Sequence, residues 1–117
     1  SLLMKIRKDD NVLVISWKDK GQTGKVLKVL TKTNKVIVEW VKVATKHMKK
    51  MWANPGQIIK KENPIDVSNV MLVCPYTSKP TRVWFVFIEE KWVTKKFRYS
   101  KQNVKLNNKE PKDSIIK

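Results

Sequence analysis

Apolar and polar residues alternate along most of the chain, the two-residue period of strands half buried on one face. In "NVLVIS", residues 11–16, Val12 and Val14 fall on one face and Leu13 and Ile15 on the other. "GKVLKVL" and "KVIVEW" repeat the pattern on either side of "TKTN". That linker ends in Asn34, which tolerates the left-handed backbone of a tight turn. "QIIKKE" and "NVMLVC" read as short strands around Pro64. "TRVWFVFIEE" and "WVTKKFRYS" predict a closing hairpin, with Val83, Phe85 and Phe87 on one face and Val93 and Phe97 opposing them. No segment carries the helical period. Short strands separated by turn signals predict an all-β fold, a small barrel with a β appendage.

Two stretches break the alternation. "KHMKKMWANPGQ", residues 46–57, is too polar and too punctuated for a strand and reads as a long basic loop. Loops of that length without structure of their own are usually functional. From Lys101, "KQNVKLNNKEPKDSIIK" is rich in Lys and Asn with few apolar residues, the composition of a flexible tail that is disordered or becomes ordered only on a nucleic-acid partner. The 117 residues then divide into an extension at 1–3 ahead of Met4, a barrel at 4–65, an appendage at 66–100 and a tail at 101–117.

Charge says what such a fold is for. Lys and Arg number 26 against 10 Asp and Glu, a formal net charge of +16. A chain so basic repels itself unless a polyanion neutralises it. Nucleic acid is the leading partner, with an anionic membrane surface as the alternative. No apolar run approaches the roughly 20 residues that span a bilayer. "SLLMKIRKDD" lacks the apolar core of a secretory signal. Cys74 is the single cysteine, which excludes an intramolecular disulfide and a cysteine metal cluster and fits a reducing, intracellular setting. One His, one Cys and no spacing that singles out a Ser–His or carboxylate–His pair argue against an enzyme. His47, among lysines, reads as a surface or phosphate-contacting residue. Cys74, ending an apolar strand, reads as a small buried hydrophobe.

The turn "KDKGQTGK", residues 18–25, carries the chemistry. Asp19-Lys20-Gly21 suits a type I turn closed by a left-handed glycine. Gly24 permits a close backbone approach. Lys18, Lys20 and Lys25 surround both glycines, so amides and ammonium groups together make a phosphate-binding surface. A solvated hairpin with ordinary lysines is the alternative. The overall charge and the second basic loop favour nucleic acid.

"NVLVISWKDKGQTGKVLKVLTKTNKVI", residues 11–37, resembles a KOW motif, with Gly21 at its eleventh position. The motif alone leaves open a ribosomal protein or a transcription or processing factor. The continuation "ANPGQIIKKENPIDVSNVMLVCPYTSKPTRV" resembles the bacterial-type large-subunit ribosomal protein twenty-four family, marked by its VSNVML core and KPTRV segment. The resemblance spans about residues 4–100. It implies an SH3-like KOW barrel bound to large-subunit rRNA, an early role in subunit assembly, and a loop at 46–57 beside the polypeptide exit tunnel. Neighbouring ribosomal proteins and the nascent chain or exit-tunnel factors would be its further partners. The protein would be a monomer within a cytoplasmic bacterial ribosome, or in an organelle matrix. The rRNA contacts it implies are Lys18, Lys20, Gly21, Gly24 and Lys25 in the turn, and Lys46, His47, Lys49 and Lys50 at the loop base. Ser68, Asn69, Lys79, Thr81 and Arg82 follow in the two signature segments. Some relatives carry two Cys pairs beginning CPxC. Here Cys74-Pro75 is followed by Tyr76 and Thr77 and no second pair exists, so neither zinc nor any other cofactor is expected. Asp9 stands where the family usually has glycine, an acceptable turn residue.

The tryptophans are the largest departure. The resemblance places Trp17, Trp40 and Trp84 at glycine positions, and Trp52 and Trp92 near others. Glycine numbers only 3, against roughly 8 expected from an average usage of about 7%. The shortfall matches the 5 Trp. A bulky residue with positive φ is an outlier, and five independent Gly-to-Trp changes are improbable. One explanation is that these codons are UGA, read as glycine in some bacterial lineages. The other is that the tryptophans are genuine. Trp17 and Trp52 would then stack on rRNA bases, and Trp84 would fill the core.

Overall fold

The computed structural model describes residues 5–47 and 58–117. In chain order the strands are β1 (Asn11–Val14), β2 (Thr23–Leu30), β3 (Lys35–Val38), β4 (Val43–His47), β5 (Ile58–Glu62), β6 (Ile65–Asp66) and β7 (Val70–Val73). They continue with β8 (Pro80–Thr81), β9 (Val83–Glu90) and β10 (Val93–Ser100), then helix α1 (Lys101–Asn107) and β11 (Ile115–Ile116). A six-stranded sheet runs β6-β3-β2-β1-β7-β8, β4 pairs with β5, and β9, β10 and β11 form a third sheet. Every pairing is antiparallel.

The larger sheet is the SH3-like KOW barrel. Val12 and Val14 point inward from β1, Val26 from β2 and Val36 and Val38 from β3, joined by Val41, Ile65, Val70 and Leu72. Short β-branched side chains pack well on a strongly pleated surface and fill a narrow interior. The alternation seen in the sequence holds: Leu13 is half-buried and Ile15 exposed. An irregularity between Val26 and Lys28 shifts the register against β3, and such bulges let a strand bend around a barrel.

Four expectations are corrected. The boundary between residues 65 and 66 falls inside a sheet, because β6 pairs with β3 and β7 with β1. The barrel therefore extends through β8, and the appendage begins at β9. Its core is continuous with the barrel's, since Val83 and Ile116 join the same cluster. Lys46 and His47 end β4, paired with Ile59 and Ile58, instead of opening a loop. Backbone pairing with β5 overrides their polarity. The remainder of that loop, with Lys49, Lys50 and Trp52, lies outside the described residues.

The closing hairpin exists, but its facing pairs differ. Val93 pairs with Glu90, so only Lys91 and Trp92 form the loop. A two-residue loop sets odd positions of β9 opposite even positions of β10. Phe85 thus faces Arg98 and Phe87 faces Lys96, while Phe97 faces Val86.

The tail is folded. Ser100 caps α1, its hydroxyl accepting from the Asn103 amide at 3.2 Å. The left-handed Asn108 ends the helix. Asn103 is buried and donates to the Ser114 hydroxyl at 2.9 Å. β11 then returns to pair with β10. Arg98, 2% exposed, makes two hydrogen bonds to Asp10 at 2.6 and 3.0 Å and also donates to the carbonyls of Lys5 and Lys117. The segment is ordered by satisfied polar contacts around one inserted isoleucine, which its low apolar content concealed.

Candidate nucleic-acid interface

The β1–β2 connection is a compact double turn. Lys20 N–H donates to the Trp17 carbonyl at 3.0 Å, and Gln22 N–H to that of Asp19 at 3.0 Å. Gly21 takes φ +95°, and a Cβ there would meet nothing within 4 Å. The left-handed glycine is thus borne out, and it leaves the tip bare enough for another molecule's backbone to come close. Lys18 and Lys20 are exposed within the turn beside it, whereas Lys25 is exposed further along β2, opposite Asn11 at the far end of β1. Lys25 lies 3.6 Å from Asp9, a solvated pair of little strength.

Gly24 serves another purpose. A Cβ there would lie 2.6 Å from the Glu39 carbonyl oxygen and 2.8 Å from Val38. The close backbone approach that the sequence suggests is between β2 and the end of β3, within the protein itself.

A fourth cation completes the turn. Lys42 N–H donates to the Asp19 carboxylate at 3.1 Å. Its ammonium group donates to the Pro64 carbonyl at 3.2 Å and lies 4.6 Å from the centre of the Trp17 ring, with Lys18 at 5.9 Å from the same ring. No sequence signal marks Lys42, because its contact with Asp19 spans 23 residues.

The signature segments fall elsewhere. Ser68 carries an amide and a hydroxyl that both donate to Asp66 at the surface. The amide bond, then the hydroxyl bond, holds the Asp66 carboxyl below its ordinary value, with a smaller contribution from Lys35. Asn69 accepts from the Ser16 hydroxyl at 2.6 Å, and its carbonyl accepts from Ile15 N–H. It therefore braces the strand that leads into the lysine turn. Lys79 and Arg82 are exposed. Arg82, with Lys5, Lys101 and Trp84, borders an open groove of about 500 Å³ floored by Val70 and Leu72. Lys5 stands 4.7 Å over the Trp84 ring.

Thr81, expected from the resemblance as an RNA contact, lies inside the fold. It is 3% exposed, its hydroxyl lies 2.9 Å from that of Ser100 and donates to the Arg82 carbonyl, and it accepts from the Gln102 amide. Its hydrogen bonds tie the barrel to α1. Lys46 and His47 take their places through their backbone in β4.

Cys74 is fully buried. Burial raises its thiol, but hydrogen bonds with the Ser100 and Thr77 hydroxyls and the backbone of Tyr76 and Thr77 outweigh that and leave it below the ordinary value. Among the described residues no group of three or more His, Cys, Asp or Glu could hold a metal ion.

The fold is a KOW barrel whose β1–β2 turn carries exposed lysines beside an open glycine. The comparisons with known proteins agree. A KOW motif matches residues 8–39, and the C-terminal domain of large ribosomal subunit protein uL24 matches residues 41–106. Relatives named large ribosomal subunit protein uL24 include that of Aquifex aeolicus, 46% identical over 84% of this chain and 85% of its own. That of Staphylococcus carnosus is 46% identical over 90% of this chain and all of its own. That of Rickettsia bellii is 42% identical over 93% and 97%. The chain belongs to the uL24 family, a family of structural, non-catalytic ribosomal proteins.

Proposed function

We propose that the chain binds large-subunit rRNA through the β1–β2 turn and thereby serves as a structural constituent of the large ribosomal subunit. The observation that carries this reading is the bare left-handed tip at Gly21, with exposed Lys18 and Lys20 in the same turn and exposed Lys25 further along β2. Ammonium groups and backbone amides there meet phosphate oxygens, which position a protein without reading sequence. The groove bordered by Lys5, Arg82 and Lys101 supplies a second contact area, to which Lys79 adds charge. Ser68 stands as a further polar contact. The net +16 charge makes rRNA contact a neutralisation, with double-stranded RNA met by its shape and phosphates.

Within this reading the protein joins the subunit early, as a monomer among neighbouring ribosomal proteins. Residues 46–57, with Lys46, His47, Lys49 and Lys50 at their start, face the exit tunnel and the emerging chain. The ribosome is that of a bacterial cytoplasm. Family membership and the identity to bacterial relatives support these assignments.

Binding should weaken steeply with salt, because each neutralised phosphate releases counterions. The triple variant Lys18→Gln, Lys20→Gln, Lys25→Gln should bind a large-subunit rRNA fragment more weakly. It should also flatten the slope of log K against log salt by about one for each phosphate that it no longer neutralises. An unchanged slope would place the RNA elsewhere. A chain that never co-sediments with large subunits in moderate salt would contradict the whole reading.

A further inference from the structure

Nine residues other than glycine have positive φ among those described. Asp9, Asn34 and Asn108 are types that adopt this conformation readily. Trp17 at +79°, Trp40 at +64° and Trp92 at +75° are not. For an L residue the left-handed region brings Cβ against the carbonyl oxygen, and a large aromatic gains nothing there. Tryptophan at three separate left-handed turns in one short chain calls for a single cause.

Two of the three sit where a turn type asks for glycine, and the third, Trp17, takes the same left-handed backbone at the entry to the lysine turn. Lys91 and Trp92 are the two loop residues of the β9–β10 hairpin, and both have positive φ, at 44° and 75°. That is the geometry of a type I′ turn, whose second position strongly favours glycine. The Trp92 side chain is 100% exposed, so no contact offsets its strain. Trp40 is the third residue of a turn closed by Val41 N–H on the Val38 carbonyl at 3.1 Å. Positive φ at that position is the mark of a type II turn, again a glycine site. Its indole is 67% exposed. Trp17 opens the lysine turn through its carbonyl bond to Lys20. Trp84 differs: it lies in β9 without positive φ, a conformation open to any residue.

We infer that positions 17, 40 and 92 are glycine in the functional protein, decoded from UGA codons that the source cell reads as glycine. The backbone at these sites was shaped for a residue without Cβ. At position 17 the consequence is functional and rests on the proposed rRNA reading. The indole covers the ammonium group of Lys42 at 4.6 Å and flanks that of Lys18 at 5.9 Å. Without it both cations open toward phosphate, and Lys42 joins the RNA contacts.

Peptide mass spectrometry of the protein isolated from its own cells, with the coding DNA read alongside, decides the assignment. UGA codons and glycine-containing peptides at 17, 40 and 92 are expected. UGG codons, or tryptophan in those peptides, would overturn it. Stability gives an independent check. The triple variant Trp17→Gly, Trp40→Gly, Trp92→Gly should fold with a severalfold larger equilibrium constant at each site, read as a higher urea midpoint with unchanged m. Trp84→Gly should lower the midpoint, because glycine weakens a strand interior. A less stable triple variant would count against glycine at these turns. For the site, Trp17→Gly should bind the rRNA fragment more tightly than the tryptophan chain. Weaker binding would mean that the indole itself stacks on RNA. Failure of both chains to bind would refute the rRNA reading while leaving the mass result to judge the glycines.

Discussion

Asp10 and Arg98 stand 88 residues apart in sequence and meet in the interior, where the guanidinium also holds the carbonyls of Lys5 and Lys117. Removing one member of a buried ion pair strands the other charge. Asp10→Ala is therefore expected to cost about 3–5 kcal/mol, measured by urea unfolding. The double variant Asp10→Leu, Arg98→Met should recover much of that loss, because no isolated charge remains. Gly24→Ala belongs to the same scale. Its Cβ would press on the Glu39 carbonyl, and overpacking of this kind typically costs about 1–3 kcal/mol. The sequence marks Gly24 as permitting a close backbone approach within the lysine turn. It could not say that the approaching group is Glu39. Asp10 gave no signal, since a buried aspartate is recognisable only through its partner.

At the scale of elements, the short 3₁₀ turn at Val67–Asn69 between β6 and β7 depends on Asp66. Its carboxylate accepts from the Ser68 amide, which holds its pKa below the ordinary value. A depressed carboxylate stabilises the fold at pH above its unfolded value, about 4, and that contribution is lost as pH falls through the lower folded value. The stability difference between the wild-type chain and Asp66→Asn should therefore be constant near neutrality and vanish in acid. A midpoint series in urea across that range checks it. The β9–β10 hairpin teaches a complementary lesson. Both strands were legible from alternation, yet their facing residues were not, because register depends on the loop length. Val93 belongs to β10 and not to the loop, and that one assignment sets every cross-strand pair.

For the whole molecule, the tail decides how far the fold extends. Ile116 is 6% exposed and part of the common core. Ile116→Ala should cost about 2–5 kcal/mol, whereas a truly solvated tail would make the change silent. Thermal or urea unfolding distinguishes the two. The same closure brings α1 beside β8 through the Gln102 and Thr81 bond, so Lys101 reaches the groove with Arg82. A basic surface assembled from Lys5, Arg82 and Lys101 cannot be found by scanning for charge runs.

The sequence by itself determined the all-β class, the KOW turn, its cluster of lysines and the glycine shortage, since two-residue periodicity, turn chemistry and net charge are local or additive properties. Tertiary structure alone decided that β6 to β8 complete the barrel, that the polar tail folds, that Thr81 is buried and that Lys42 reaches the turn. It also decided which tryptophans stand in left-handed backbone. Those facts depend on contacts between residues far apart in the chain, and a one-dimensional pattern does not encode which distant groups will satisfy one another.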